Sequence, residues 1–129
     1  MPRRTPSSLT PVQLEIMNLF WEQGELGVAQ VWRLLSDRRR VARNTVQTML
    51  TRLVERGWLK VRVEANAFYF RAAQPRGSTL RGIVGRLVDT AFGGSATGLV
   101  MALLEDRRIS AEEARRIREL IDRAQEDRQ

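Results

Sequence analysis

The sequence predicts a mainly α-helical chain in two parts: three helices with a β-hairpin, then three further helices. Three observations carry this. Apolar residues recur at helical spacing, i, i+3, i+4 and i+7, in successive blocks. Between Leu59 and Ala72 the period falls to two, the spacing of strands. At Gln74-Pro75-Arg76-Gly77 the charge balance changes. Residues 1–76 carry 13 basic and 6 acidic side chains, and residues 77–129 carry 9 of each. We place the domain boundary there, giving parts 1–76 and 77–129.

The first helix opens at Thr10. Thr10 and Gln13 have capping-box spacing, and Pro11 falls at N1, where its missing N–H costs nothing. Val12, Ile16, Leu19 and Phe20 share one face, and Gly24 ends the helix. A second helix, from about Val28 to Asp37, carries Val28, Val31, Trp32 and Leu35 on its stripe. The basic run Arg38-Arg39-Arg40 follows, suited to a solvated surface or to phosphate. The third helix spans Arg43 to Gly57. Val46, Met49, Leu50, Leu53 and Val54 form its apolar stripe, and Gly57 suits the left-handed residue after a helix end.

The strands then alternate. Leu59, Val61 and Val63 oppose Lys60, Arg62 and Glu64 on the first strand. Phe68, Phe70 and Ala72 oppose Ala67, Tyr69 and Arg71 on the second. Ala65-Asn66 is the turn, and Ala disfavours positive φ, so a tight type I′ turn is not expected. Three helices and a hairpin make the winged-helix plan, with the third helix as recognition helix. Lys60, Arg62 and Arg71 suit a wing over phosphates.

Beyond the boundary, Ser78 or Thr79 is expected to cap a helix with the stripe Leu80, Ile83, Val84, Leu87, Val88 and Ala91. Phe92-Gly93-Gly94-Ser95 breaks it. A fifth helix carries Leu99, Val100, Leu103 and Leu104. The sixth starts at Ser110, with Glu113 in capping-box spacing, and carries Ala114, Ile117, Leu120 and Ile121. Three short helices are little for an independent core. Their stripes can fold back on the first part or pair with a second copy, and pairing through Leu80, Val84, Leu87, Leu99, Leu103, Ile117, Leu120 and Ile121 is the favoured expectation.

Composition narrows the function. The net charge is +7 and the pI about 11.4, with the excess in the first part, which points to a polyanion. The chain has no Cys and no His. That excludes disulfides, Cys/His zinc sites, thiol catalysis and His-based triads. The one lysine, Lys60, lies in a strand, and the carboxylates form no paired constellation, so no enzyme, metal or cofactor is expected. The residues MPRRTPSS lack an apolar segment after their arginines and are read as a basic arm rather than a secretory signal. The absence of Cys fits the cytoplasm.

On the polar face of the third helix, Gln47 can pair with adenine, and Thr45 and Thr48 can bond a base or meet a thymine methyl. Arg43, Arg52 and Arg62 suit phosphates. Asn44 can read a base or, with Gln47, form a capping box. Arg52 can alternatively pair with Glu55.

The stretches LTPVQLEIMNLFWEQG, NTVQTMLTRLVERGWL, ANAFYF, FGGS to LVMALLE and ISAEEARRIREL resemble the penicillinase-repressor family, of BlaI and MecI type, over about residues 9–125. The resemblance implies a homodimeric winged-helix repressor on a palindromic operator in double-stranded DNA. It puts recognition-helix contacts at Asn44, Thr45, Gln47, Thr48 and Arg52. It also implies release through a β-lactam-triggered membrane sensor protease, with cleavage in the fifth helix. The Asn-Phe step cut in such proteins corresponds here to Ala102-Leu103. The copper-responsive branch uses Cys ligands, which this chain lacks. Two other readings stand beside this one. One is a ligand-sensing winged-helix regulator with a small molecule at its dimer interface, lined by Trp21, Trp32 and Trp58. The other is a protein-binding winged-helix module.

Overall fold

The computed structural model describes residues 8–128. Their order is α1 (Pro11–Gln23), β1 (Leu26–Gly27), α2 (Val28–Ser36), α3 (Arg43–Glu55), β2 (Leu59–Glu64), β3 (Ala67–Ala72), α4 (Arg76–Ala91), α5 (Ala96–Glu105) and α6 (Ala111–Asp127). The basic arm expected at residues 1–7 lies outside the described residues. The chain divides into two compact units, Met1–Ile83 and Val84–Gln129. The division falls inside α4, later than the turn at Gln74–Gly77. The first turn of α4 belongs to the first unit, where Thr79 is buried.

The first unit is a winged helix. At the start of α1, the Thr10 hydroxyl accepts from the Gln13 N–H at 3.2 Å, and the Gln13 side chain accepts from the Thr10 N–H at 2.9 Å. Gly24, at φ 85°, ends the helix. α3 stops on a Schellman turn. The Trp58 N–H donates to Leu53 O at 2.9 Å and the Gly57 N–H to Val54 O at 3.1 Å, with Gly57 at φ 86°. That stop turns the chain directly into β2.

The core is built from the predicted stripes. Ile16, Met17 and Phe20 of α1, Val31 and Leu35 of α2, and Val46, Leu50 and Leu53 of α3 are buried with Trp58, Leu59 and Phe70. Trp32 departs from its stripe and is 37% exposed. Its indole N–H donates to Val41 O at 2.9 Å, fastening α2 to the segment before α3. Trp21 donates to Gln74 O at 2.9 Å, and the Gln74 amide donates to Gly57 O at 3.1 Å, which ties the end of the wing to α1 and to the end of α3.

The sheet is antiparallel in the order β1-β3-β2. β1 was not foreseen, because two residues carry no period. Leu26 pairs with Phe70 and Gly27 with Tyr69. The hairpin register, Leu59 with Ala72 through Glu64 with Ala67, leaves a two-residue turn. Ala65 and Asn66 have φ of 50° and 64°. Positive φ at both positions is the signature of the type I′ turn that the sequence argued against. The twist of the paired strands selects that turn and overrides the local cost at Ala65, about 1–2 kcal/mol.

The wing is clamped to β1. The Arg62 guanidinium donates to both carboxylate oxygens of Glu25, at 2.8 and 2.6 Å, and also to Glu64. It lies over the Tyr69 ring, 4.7 Å from the centroid. The Arg62 hydrogen bond holds the Glu25 carboxyl below its ordinary value near 4.5, and the same carboxylates raise Arg62.

The second unit begins within α4. This helix opens at Arg76, so Ser78 and Thr79 sit inside its first turn and do not cap it. Their hydroxyls donate back to Pro75 O, at 3.4 and 2.7 Å. Gly93 and Gly94, at φ 57° and 85°, separate α4 from α5, whose axes differ by 92°. Ser95 caps α5 and Ser110 caps α6 through the N–H groups of Gly98 and Glu113, at 3.0 and 3.1 Å. No described side chain of this unit is buried. Val84, Leu87, Val100, Met101, Leu104, Leu120 and Ile121 are 42–55% exposed. Among the described residues, no single helix is long and apolar enough to cross a membrane.

Two outcomes test this account of the wing. Ala65→Asn places a residue tolerant of positive φ at the turn. It should stabilise the first unit by roughly 0.5–1 kcal/mol, read as a rise of a few degrees in thermal melting. Glu25→Gln should lower the melting temperature at neutral pH. The folded value of Glu25 is depressed, so its contribution is present above the ordinary carboxylate range and is lost as pH falls through the folded value. The gap between wild type and variant should therefore close at acid pH.

Candidate nucleic-acid interface

α3 has a hidden side and an offered side. Val46, Leu50 and Leu53 have no accessible surface, and Met49 and Val54 are half-buried beside them. Arg43, Asn44, Thr45, Gln47, Thr48, Thr51 and Arg52 are all exposed. Helical geometry requires this split, because the apolar residues sit three and four apart.

The N-cap of α3 is Ala42, which has no capping oxygen. Asn44 is therefore the second residue of the helix, and the Asn44–Gln47 capping box is not formed. The side chains of Arg43, Asn44, Thr45, Gln47 and Arg52 make no hydrogen bond or ion pair with another described residue. The alternative pair between Arg52 and Glu55 is thus absent among the described residues. Thr48 and Thr51 are partly committed. Their hydroxyls donate to Asn44 O at 3.0 Å and to Gln47 O at 2.9 Å. Each keeps an acceptor lone pair and a methyl group for a ligand.

The first N–H groups of α3 are also unpaired by any cap, so this helix end favours an anion. It borders an open cleft of about 380 Å³ lined by Gly27, Val28, Ala29, Gln30, Arg43, Gln47, Asn66, Ala67, Phe68 and Tyr69. The first turn of α2 also lines it, and there the Gly27 N–H donates to Gln30 Oε1 at 2.9 Å. Among the described residues, no carboxylate lines the cleft.

The basic residues around α3 separate into held and exposed. In the run before α3, Arg39 reaches Glu15 of α1 at 2.7 Å, while Arg38 and Arg40 are exposed. Arg62, expected over phosphate, is held by Glu25, Glu64 and Tyr69. Lys60 and Arg71 face one another across the hairpin and are exposed.

The residues expected to pair two copies lie in two places. Leu80 is half-buried in the part of α4 that belongs to the first unit. Val84, Leu87, Leu99, Leu103, Ile117, Leu120 and Ile121 lie in the second unit, half-buried or exposed. The Ala102-Leu103 bond lies inside α5. The three tryptophans have separate structural settings: Trp58 in the core, Trp21 on Gln74 and Trp32 on Val41.

Sequence reasoning missed the cleft, and with it Gln30 and Phe68. Phe68 alternates correctly for a core-facing residue, yet it is 54% exposed. The available signal was hairpin length, since its apolar face continues past the last core pair.

Comparison with known proteins agrees with this geometry. The penicillinase repressor family model matches residues 9–123. The penicillinase repressor of Bacillus licheniformis is 22% identical over 114 residues, covering 88% of this chain and 89% of that protein. An uncharacterised Latilactobacillus sakei protein is 23% identical over 115 residues, covering 89% and 79%. Among solved structures, the monomeric B. licheniformis BlaI repressor in complex with the blaP half-operator is 25% identical. It has a TM-score of 0.50 and covers 57% of this chain and 89% of that one. A mutant MarR of E. coli has a TM-score of 0.52 at 16% identity, covering 90% and 77%, which shows likeness of fold alone. With its winged helix, uncommitted polar face on α3 and match over most of its length, the chain belongs to the penicillinase repressor family of DNA-binding transcriptional repressors.

Proposed function

We propose that this protein represses transcription as a homodimer on a palindromic operator, with α3 of each copy in the major groove. The observation that carries this is the pairing of a locked apolar side with an uncommitted polar side on α3. A helix held that rigidly presents its polar groups in a defined register, as base readout requires. The relative bound to its half-operator supports the same use of the fold. Gln47 and Thr48 read base edges, with Asn44 and Thr45 beside them. Arg43 and Arg52 contact phosphates.

The second unit, together with α4, supplies the dimer. No described residue of that unit is buried, and its apolar stripes remain half exposed. A second copy offers identical stripes in a self-complementary arrangement. The second reading, a small molecule at that interface, has the likeness to MarR behind it, which extends only to the fold.

Release by proteolysis maps to Ala102-Leu103. That bond is inside a helix, so a protease reaches it only after local unwinding. α5 is ten residues long and buries none of them, which makes such unwinding inexpensive. A membrane sensor protease completes this scheme as the upstream partner.

Binding measured across a panel of operator variants tests the assignment. Gln47→Ala should relax preference at one position, by roughly 1–3 kcal/mol of discrimination. Arg52→Ala should weaken all sequences alike and flatten the salt dependence by about one phosphate per copy. An unchanged preference profile for the Gln47 variant overturns its base-reading role. Sedimentation should show a dimer at micromolar concentration, and Leu120→Glu with Ile121→Glu should shift it to monomer. A wild-type protein that sediments as monomer with and without DNA overturns the dimer.

A further inference from the structure

The hairpin's apolar face runs further than the core it serves. Leu59 and Phe70 are buried, but the last apolar pair, Val63 with Phe68, is 62% and 54% exposed. An aromatic residue this open on a wing lies outside the core cluster. It borders the same cleft as Arg43 and Gln47.

The cleft has two chemistries side by side. One margin is cationic, made by Arg43 and the uncapped first turn of α3. The other is apolar, made by Phe68. No carboxylate among the described residues opposes an anion there. A nucleic-acid strand has the matching alternation, with a charged phosphate next to an apolar deoxyribose face. The wing's expected cation, Arg62, is meanwhile held by Glu25, Glu64 and Tyr69.

We propose that the wing grips DNA through an apolar contact. Phe68, backed by Val63, packs on the deoxyribose of the strand whose phosphate sits at Arg43. This rests on the DNA-binding reading above, and it assigns the wing a contribution that salt does not screen.

The test uses the full chain and a duplex that the wild-type protein selects from random DNA, with affinity measured over a range of KCl concentrations. Phe68→Ala should weaken binding roughly tenfold at every concentration, from the lost apolar burial, with the slope unchanged. Phe68→Leu should keep most of the affinity. Arg43→Ala should reduce the slope by about one phosphate per copy. Phe68→Ala within twofold of wild type overturns the proposal, as does a fall in slope for that variant. Since Phe68→Ala can loosen the hairpin, nuclear Overhauser contacts in the wild-type complex provide the second measurement. Phe68 ring protons should contact deoxyribose protons, and a ring with no such contact overturns the proposal. If the wild-type protein selects no duplex, the DNA-binding reading itself fails, which is a distinct outcome.

Discussion

Val46, Leu50 and Leu53 are closed to solvent, and much of the first unit follows from that constraint. A helix with a locked apolar stripe cannot roll about its axis. The direction of every polar side chain from Arg43 to Arg52 is set accordingly. Truncating a leucine in such a site costs about 2–5 kcal/mol. A domain of this size has only about 5–15 kcal/mol in total. The offered face of α3 therefore depends on residues that no ligand touches. The Schellman turn at Gly57 extends the same constraint, because it brings Trp58 and Leu59 into the core and launches the wing from a fixed point.

The wing shows how local cost and tertiary demand are balanced. Ala65 is held at positive φ because the strand register leaves two residues for the turn. Arg62 reaches Glu25 and Tyr69 across the sheet and Glu64 along its own strand, and this network joins the residue before β1 to the hairpin. Its ion pairs are exposed, so their value lies more in orientation than in stability. What the wing offers outward is consequently less cationic than its sequence suggests, and its inner face is partly apolar.

The second unit has the opposite economy. Its helices are well capped at Ser95 and Ser110, yet none of its described residues is buried. Capping defines where helices start, while burial supplies most of their stability. In the proposed dimer such a unit gains its core by association, so its stability depends on concentration. In the proposed dimer, folding of this unit, operator affinity and resistance of α5 to proteolysis are coupled through one interface.

The sequence by itself determined the helices, the hairpin, the core stripes and the polar face of α3. Each of these is a periodic pattern, and periodicity is a local property of the chain. Thr10 with Gln13, and Gly57 after α3, were equally legible, because capping joins residues only a few positions apart. The tertiary structure decided what depends on distant neighbours. β1 exists only because Leu26 and Gly27 meet Phe70 and Tyr69. The turn at Ala65-Asn66 follows strand register rather than residue preference. Arg62 faces Glu25, 37 positions earlier in the chain, and is thereby tied to the protein's own carboxylates. Phe68 reads as core until the edge of the core is known. An alternating pattern says which face a side chain takes, but only packing says whether anything lies opposite it.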